Sequence, residues 1–267
     1  MGSTVEIQKI KMTALGHFIS DQVHAYEAGR QPDAAHSLGC IQLNSGFNFE
    51  QALIGLEGCA RIWVLFVFHH NGHWKPMVLP PRGLSHKIGV FATRSPYRPN
   101  PIGMSCLKIE RIDTANLRIY VEGADILDGS PILDIKPYIA YADSFPECEP
   151  DWLKTAEKFQ VYFSASTEEQ LNWLEAKGVS QLRGFLLHQL EYEPTNFKKK
   201  RLINKSSQNF VIAYRTWRAE FQLIDKNVSV IQIFSGYSEM DLAKNEDLHL
   251  DKELHCLFKK RFFSETI

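Results

Sequence analysis

Through the first half of the chain, apolar and polar positions alternate in short runs rich in Val, Ile and aromatic residues, each stopped by Gly, Pro, Asn or Asp. This period of two predicts strands over Ala14–Ser20, Cys40–Leu43, Arg61–Phe68, Lys87–Thr93, Met104–Ile112, Leu117–Glu122 and Lys136–Ala140. Asp113–Asn116 reads as the turn of a hairpin, and only Phe49–Leu56 carries a helical pattern. Many short strands without crossover helices predict an antiparallel barrel in place of a doubly wound sheet.

A cluster of polar and proline residues at Pro146–Asp151 marks a boundary, and the pattern changes beyond it. Ser166 with Glu169 reads as a capping box for a helix through Leu171, Trp173 and Leu174 that stops at Gly178. Ser180 is placed to cap a second helix carrying Leu182, Phe185, Leu186, His188, Leu190 and Tyr192. Strands follow at Phe210–Arg215, Arg218–Ile224 and Val228–Phe234, and Leu248, Leu254, Leu257 and Phe258 suggest an amphipathic helix in the tail. The expected architecture is therefore mainly β. A small antiparallel barrel (residues 8–148) precedes a smaller α+β domain (151–237) and a tail (238–267).

Composition narrows the class. The chain has 267 residues, 44% hydrophobic and 23% charged, as in a soluble globular protein. Its longest apolar run, Ile62–Phe68, is far too short to span a membrane, and no secretion signal is read at the N-terminus. The five cysteines show no metal or redox spacing and read as reduced thiols, so a cytoplasmic location is expected. A net charge of −1 argues against indiscriminate coating of nucleic acid. The basic charge is concentrated: Arg183, Lys198, Lys199, Lys200, Arg201, Lys205, Arg215 and Arg218 face only Glu191 and Glu193 within that window. No dinucleotide fingerprint, Walker loop or nucleophile elbow is present.

Several clusters carry candidate chemistry. Gly89–Ser105 sets Arg94, Arg98 and Asn100 among three prolines and two glycines, a rigid polar loop suited to an anionic or planar ligand. In Asp125–Asp143, Asp128-Gly129 is a turn dipeptide, and Asp134, Lys136 and Tyr138 share one face at period two. Those three groups suit proton transfer, and Asp134 with Lys136 equally suits a structural ion pair. His69, His70 and His73 lack the Cys or Glu partners of a zinc site, so no metal is expected; His69 and His70 are instead placed to meet a ligand at the barrel mouth. Tyr192, Phe197, Phe210, Tyr214 and Trp217 lie among the basic residues, a mixture that suits stacked bases beside phosphates or, equally, a domain core with a solvated loop.

Gly89–Ser95, Arg98-Pro99-Asn100-Pro101-Ile102-Gly103, Asp128-Gly129-Ser130-Pro131 and Asp134-Ile135-Lys136-Pro137-Tyr138 closely resemble the TsaA-like (YaeB, TrmO) family, and Leu65–His69 resembles its first-half signature. The resemblance covers roughly residues 10–145 well and the C-terminal module more loosely. It implies an S-adenosylmethionine-dependent tRNA methyltransferase acting on N6 of N6-threonylcarbamoyladenosine at position 37, beside the anticodon. A non-catalytic RNA- or S-adenosylmethionine-binding module is the alternative. The implied fold is a small antiparallel barrel with a smaller C-terminal domain, assembled as a homodimer. By matching position the cofactor meets Gln31, Pro32, Asp33, His69, His70, Arg94, Met104, Ile126, Leu127, Asp128 and Gly129. The family more often has Gly where this chain has Asp33, and Thr where it has Ser130. Since the acceptor nitrogen belongs to a urea-like group with a delocalised lone pair, Asp134 is expected as base or orienting group, with Lys136 or Tyr138 stabilising charge on the carbamoyl oxygen. Arg98 and Asn100 are expected at the threonyl carboxylate or a flanking phosphate, and Lys199, Arg201 and Arg215 on the anticodon stem-loop.

Overall fold

The computed structural model describes residues 9–20, 38–154, 156–197 and 200–263. These divide into two compact units, one formed by 9–20, 38–78 and 88–145, the other by 79–87 and 146–263.

The first unit contains β1 (Gly16–Ile19), β2 (Leu38–Leu43), α1 (Phe49–Ala52), β3 (Arg61–Val67), β4 (Met77–Val78), β5 (Ile88–Gly89), β6 (Ile102–Asp113), β7 (Arg118–Glu122), β8 (Pro131–Pro137) and α2 (Ala140–Asp143). Six strands close into an antiparallel barrel in the order β1-β2-β7-β6-β3-β8, and β4 pairs with β5 as a separate small hairpin. The period of two in the sequence is the reason for closure. On β3 every second residue (Ile62, Val64, Phe66) is buried, and Phe18, Ile41, Leu107, Ile119, Val121 and Ile132 meet them inside. Gly103 is obligatory there, because a Cβ would lie 2.3 Å from the Phe66 ring. The Asp113–Asn116 turn forms, with the Asp113 carboxylate accepting from the Asn116 backbone (3.1 Å) and side-chain amide (2.8 Å).

Two strand expectations shift. Beyond Ile88–Gly89 the chain leaves extended structure for a short 3-10 turn, Val90–Ala92, closed by the Thr93 hydroxyl on the Val90 carbonyl (2.8 Å). β8 begins at Pro131, five residues before the expected start, and the chain turns helical at Ala140. Proline is tolerated at a strand's first residue, and Leu133 is an extra residue, since Phe66 pairs with Ile132 while Leu65 pairs with Asp134.

The second unit holds α3 (Asp151–Lys154), β9 (Gln160–Phe163), α4 (Ala165–Ala176), α5 (Leu182–Leu190), β10 (Leu202–Asn204), β11 (Asn209–Tyr214), β12 (Trp217–Ile224), β13 (Asn227–Ser235), α6 (Glu239–Ala243) and α7 (Lys252–Phe262). Its sheet runs β10-β11-β12-β13-β9, with β9 parallel to β13. Leu171, Leu174, Leu182, Leu186 and Leu190 from the helices share a core with Phe210, Ile212, Trp217, Phe221 and Val230. The helix cap is Ser164, not Ser166: its hydroxyl accepts from the Thr167 amide (3.2 Å), and α5 starts without a side-chain cap at Gln181. The tail is helical, but its buried positions are His255 and Phe258; Leu248 and Leu257 are exposed.

Candidate active site at the barrel rim

Antiparallel pairing brings the ends of β1, β3 and β7 and the starts of β6 and β8 to one rim. Backbone bonds stitch the loops there. The Phe68 amide donates to Pro101 (2.8 Å), the Phe18 amide to Ser130 (2.9 Å) and the Gly129 amide to Phe18 (2.8 Å). Leu127–Ser130 is a turn closed by the Ser130 amide on the Leu127 carbonyl (3.2 Å), with Gly129 at φ +71°. A positive φ at the third turn position favours glycine, as the Asp128-Gly129 dipeptide suggests.

This turn places side chains against those leaving β3. The Ser130 hydroxyl lies 3.2 Å from His69 Nδ1, the His69 and His70 rings have centroids 4.0 Å apart, and Asp128 accepts from the Ser20 amide at 3.0 Å. A Cβ at Gly129 would come no nearer than 4.0 Å to His69 Nε2, so the positive φ and not crowding is what favours glycine there. Burial first and then the His70 charge lower the His69 pKa, leaving a neutral imidazole at neutral pH.

A carboxylate outside the sequence-based assignments completes the rim. Asp125 lies between buried Ala124 and Ile126, and its Oδ1 accepts from the buried Ser105 hydroxyl at 2.5 Å. Burial raises its pKa to about 6, against the opposing pull of the Ser105 hydrogen bond and the Arg94 charge. The only sequence signal was a lone acid in an apolar stretch after a strand, Gly123-Ala124-Asp125-Ile126.

On the outer face, pairing aligns Met104, Leu65 and Asp134 in one row across β6, β3 and β8, and Cys106, Trp63 and Lys136 in the next. Lys136 Nζ meets Asp134 Oδ2 at 2.7 Å, and Asp134 Oδ1 accepts the Ile135 amide at 2.9 Å. Tyr138 follows the end of β8, its ring 6.0 Å from that of Trp63. The Leu133 bulge turns Asp134 and Lys136 outward while Ile132 and Ile135 stay on the core side.

Of the expected cofactor residues, His69, His70, Leu127, Asp128 and Gly129 gather at this rim, and Met104 lies on the outer row. Ile126 is fully buried, so its side chain belongs to the core. Arg94 is exposed and makes no hydrogen bond or ion pair among the described residues. Arg98 braces its own loop, donating through Nη1 to the carbonyls of Val90 (3.2 Å) and Thr93 (2.7 Å), whereas Asn100 is exposed. Gln31, Pro32, Asp33 and Lys199 lie outside the described residues. Arg201 and Arg215 are exposed on the second unit, Arg215 at φ +47° in the tight turn between β11 and β12.

The basic window of the second unit is less charged than its sequence suggests. Arg183 pairs with Glu168 (2.6 Å) and Glu175 (2.8 Å), and Lys205 with Glu220 (2.5 Å), all three acids lying outside the window. The Lys200 ammonium is held by the carbonyls of Gln189, Tyr192 and Glu193. Among the described residues, no group of three His, Cys, Asp or Glu is placed to hold a metal, and no helix is long and apolar enough to cross a membrane.

The site thus sits on a closed antiparallel barrel, an architecture distinct from a doubly wound sheet. The profile of the tRNA-methyltransferase O N-terminal domain matches residues 18–144. A tRNA (adenine(37)-N6)-methyltransferase of Escherichia coli is 37% identical over 190 residues, covering 67% of this chain and 80% of that protein. A putative S-adenosylmethionine-dependent methyltransferase of Pseudomonas aeruginosa is 39% identical over 140 residues, covering 51% of this chain and 58% of its own length. The crystal structure of TrmO from that organism superposes with a TM-score of 0.61 at 25% identity, over 87% of this chain and all of the other. The chain belongs to the tRNA-methyltransferase O family.

Proposed function

We propose that this chain transfers a methyl group from S-adenosylmethionine to N6 of adenine 37 in tRNA, and that its acceptor is the adenine already carrying a threonylcarbamoyl group. The observation that carries the reading is the convergence of His69, Asp128, Gly129 and Ser130 at one barrel rim, with Asp134 and Lys136 on the adjoining outer face. The donor set fits the cofactor. A neutral imidazole suits an adenosine, and Arg94, without a partner among the described residues, suits a carboxylate.

When bound, S-adenosylmethionine supplies an electrophilic methyl group on a sulfonium. The acceptor N6 shares its lone pair with the carbamoyl group, so removing its proton restores nucleophilicity. Asp134 accepts that proton, and Lys136, 2.7 Å from it, stabilises negative charge on the carbamoyl oxygen. The pair is too exposed to add much to stability, a geometry that leaves both groups accessible to substrate. Tyr138 beside Trp63 offers a hydroxyl and an aromatic face to the splayed nucleotide. Asn100 is assigned to the threonyl carboxylate or a flanking phosphate, with Arg98 holding the loop that carries it. Arg201 and Arg215, with Lys199, are assigned to the anticodon stem-loop, and the enzyme works as a cytoplasmic homodimer.

The test incubates the protein and S-adenosylmethionine with tRNA carrying or lacking the threonylcarbamoyl group, and reads added methyl by nucleoside mass spectrometry. Methylation only of the modified tRNA is expected. Equal methylation of both refutes the acceptor, and none in either refutes the activity.

A further inference from the structure

Asp125 and Arg94 carry opposite charges at the same rim without forming a hydrogen bond or ion pair with each other. Arg94 acts on Asp125 only through its field. Among the described residues its one side-chain partner is the Ser105 hydroxyl on Oδ1, and its own backbone amide adds to the pull on the charge. Among the described residues, Oδ2 takes no hydrogen bond from another side chain, and Asp125 as a whole is only half-buried. The carboxylate is thus fixed through one oxygen, has no cationic partner in contact among the described residues, and is desolvated enough that a cation is a strongly favoured partner.

We propose that Asp125 is a binding residue for the α-ammonium group of S-adenosylmethionine, with Arg94 taking the neighbouring carboxylate, so that the two unpaired charges form a seat for the zwitterionic amino-acid end of the cofactor. The separation of the charges is the key feature, because a direct Asp–Arg ion pair would satisfy both groups and leave nothing for a zwitterion. Ser105 acts as a positioning residue: buried on the inward row of β6, its hydroxyl holds Oδ1 and so fixes the carboxylate. A proton on Asp125 competes with the ammonium. Arg94 and Ser105 act directly on this carboxylate, and His69, His70 and Asp128 from the other rim loops are the remaining titratable groups at the mouth. The proposal rests on the methyltransferase reading, and its test separates the two.

Calorimetric titration reads binding in the absence of tRNA, for the wild type and for Asp125→Asn, with S-adenosylmethionine, S-adenosylhomocysteine and a cofactor analogue lacking the α-amino group. Asparagine keeps the acceptor for Ser105 but presents an amide N–H2 where the second oxygen was. Loss of a charge-assisted bond predicts roughly 10- to 100-fold weaker binding of both natural ligands to the variant. The deaminated analogue is expected to bind wild type and variant alike. Below pH 6 wild-type affinity should fall more steeply than that of Asp125→Asn, by up to about tenfold per unit, the variant keeping only the dependence due to the rim histidines. If S-adenosylmethionine binds the variant within twofold of wild type, the assignment is overturned. If the variant loses S-adenosylmethionine but keeps S-adenosylhomocysteine, the carboxylate serves the sulfonium, which also overturns it. Failure of the wild type itself to bind S-adenosylmethionine would sink the methyltransferase reading instead. Ser105→Ala is the second variant: weaker binding of S-adenosylmethionine with unchanged binding of the deaminated analogue supports the positioning role, and any other pattern overturns that role.

Discussion

A carboxylate kept for binding in apolar surroundings should cost the fold stability, and Asp125→Asn measures that cost. In the folded barrel its pKa stands at about 6, against 3.8 for an ordinary aspartate. As pH rises, the unfolded chain loses this proton first, while the native state holds it until about pH 6. Between those two values the native state binds more protons than the unfolded state, so stability declines as pH increases through the window. At about 1.4 kcal/mol per pH unit, the full loss is about 3 kcal/mol, complete above pH 7. Asparagine cannot ionise and still accepts from Ser105. Without ligand, its expected gain is ~1–3 kcal/mol at pH 7.5, the lower figure allowing for a weaker Ser105 bond. Below both pKa values, at about pH 3, the gain should vanish.

Because the chain has two compact units, a single unfolding midpoint mixes them. The suitable readout is amide hydrogen exchange of β3 and β6 peptides, which lie in the barrel alone. Protection factors of wild type and Asp125→Asn should coincide at about pH 3, after correction for intrinsic exchange, and diverge steadily up to pH 7. Saturating S-adenosylmethionine should then narrow or reverse the order, because the wild type gains ligand stabilisation that the variant largely lacks. A variant less protected than wild type at pH 7, or a difference independent of pH, would refute the account of Asp125 as an ionised carboxylate held at a cost.

Asp134→Asn should lower kcat about 10²- to 10⁴-fold at saturating cofactor with an unchanged melting temperature, and full turnover would exclude Asp134 as proton acceptor. Gly103→Ala should destabilise the barrel by ~1–3 kcal/mol by driving a Cβ into the Phe66 ring, and adding Phe66→Leu should recover part of that loss in a chemical-denaturation curve. Arg215→Gly relieves a positive φ at a non-glycine residue, so the melting temperature should hold or rise slightly. The same variant should weaken tRNA binding and reduce the salt slope of log K by about 1 if the guanidinium meets a phosphate. His255 is fully buried, stacked on Trp217 at 3.7 Å, with Nδ1 unpartnered and its pKa lowered by burial, so the second unit should lose stability as pH falls below the usual histidine range of about 6.5. In His255→Phe, hydrogen exchange of α7 should lose that acid-side dependence.

How much of the fold was legible follows from where its energy lies. Strands with one face in the core carry their period in sequence, so β3, β6, β7, β11, β12 and β13 were readable to within two residues or so. β8 was misplaced because Pro131 reads as a turn residue and the Leu133 bulge breaks the alternation. β9 and β10 were missed: they are four and three residues long, at the two edges of their sheet, and owe their existence to pairing with β13 and β11. In the helices, Ser164 and Ser166 both offer a capping hydroxyl, and only the path of the chain out of β9 selects the first.

The site divides along the same line between local and assembled properties. Turn chemistry is local, so Asp128-Gly129 and the proline-braced loop announced themselves. Free charge is assembled, and here the sequence misled in both directions. Arg98, Arg183, Lys200 and Lys205 look available in a linear count, yet loop carbonyls or acids distant in sequence engage each of them. Asp125 looked like one more polar residue in an apolar stretch, yet closure of the barrel gives it a buried hydroxyl partner and a raised pKa. A charge that finds its partner during folding serves the structure. One that folding keeps from opposite charge, as the barrel does with Asp125 and Arg94, is retained for a ligand, and the stability it costs is recovered when the ligand binds.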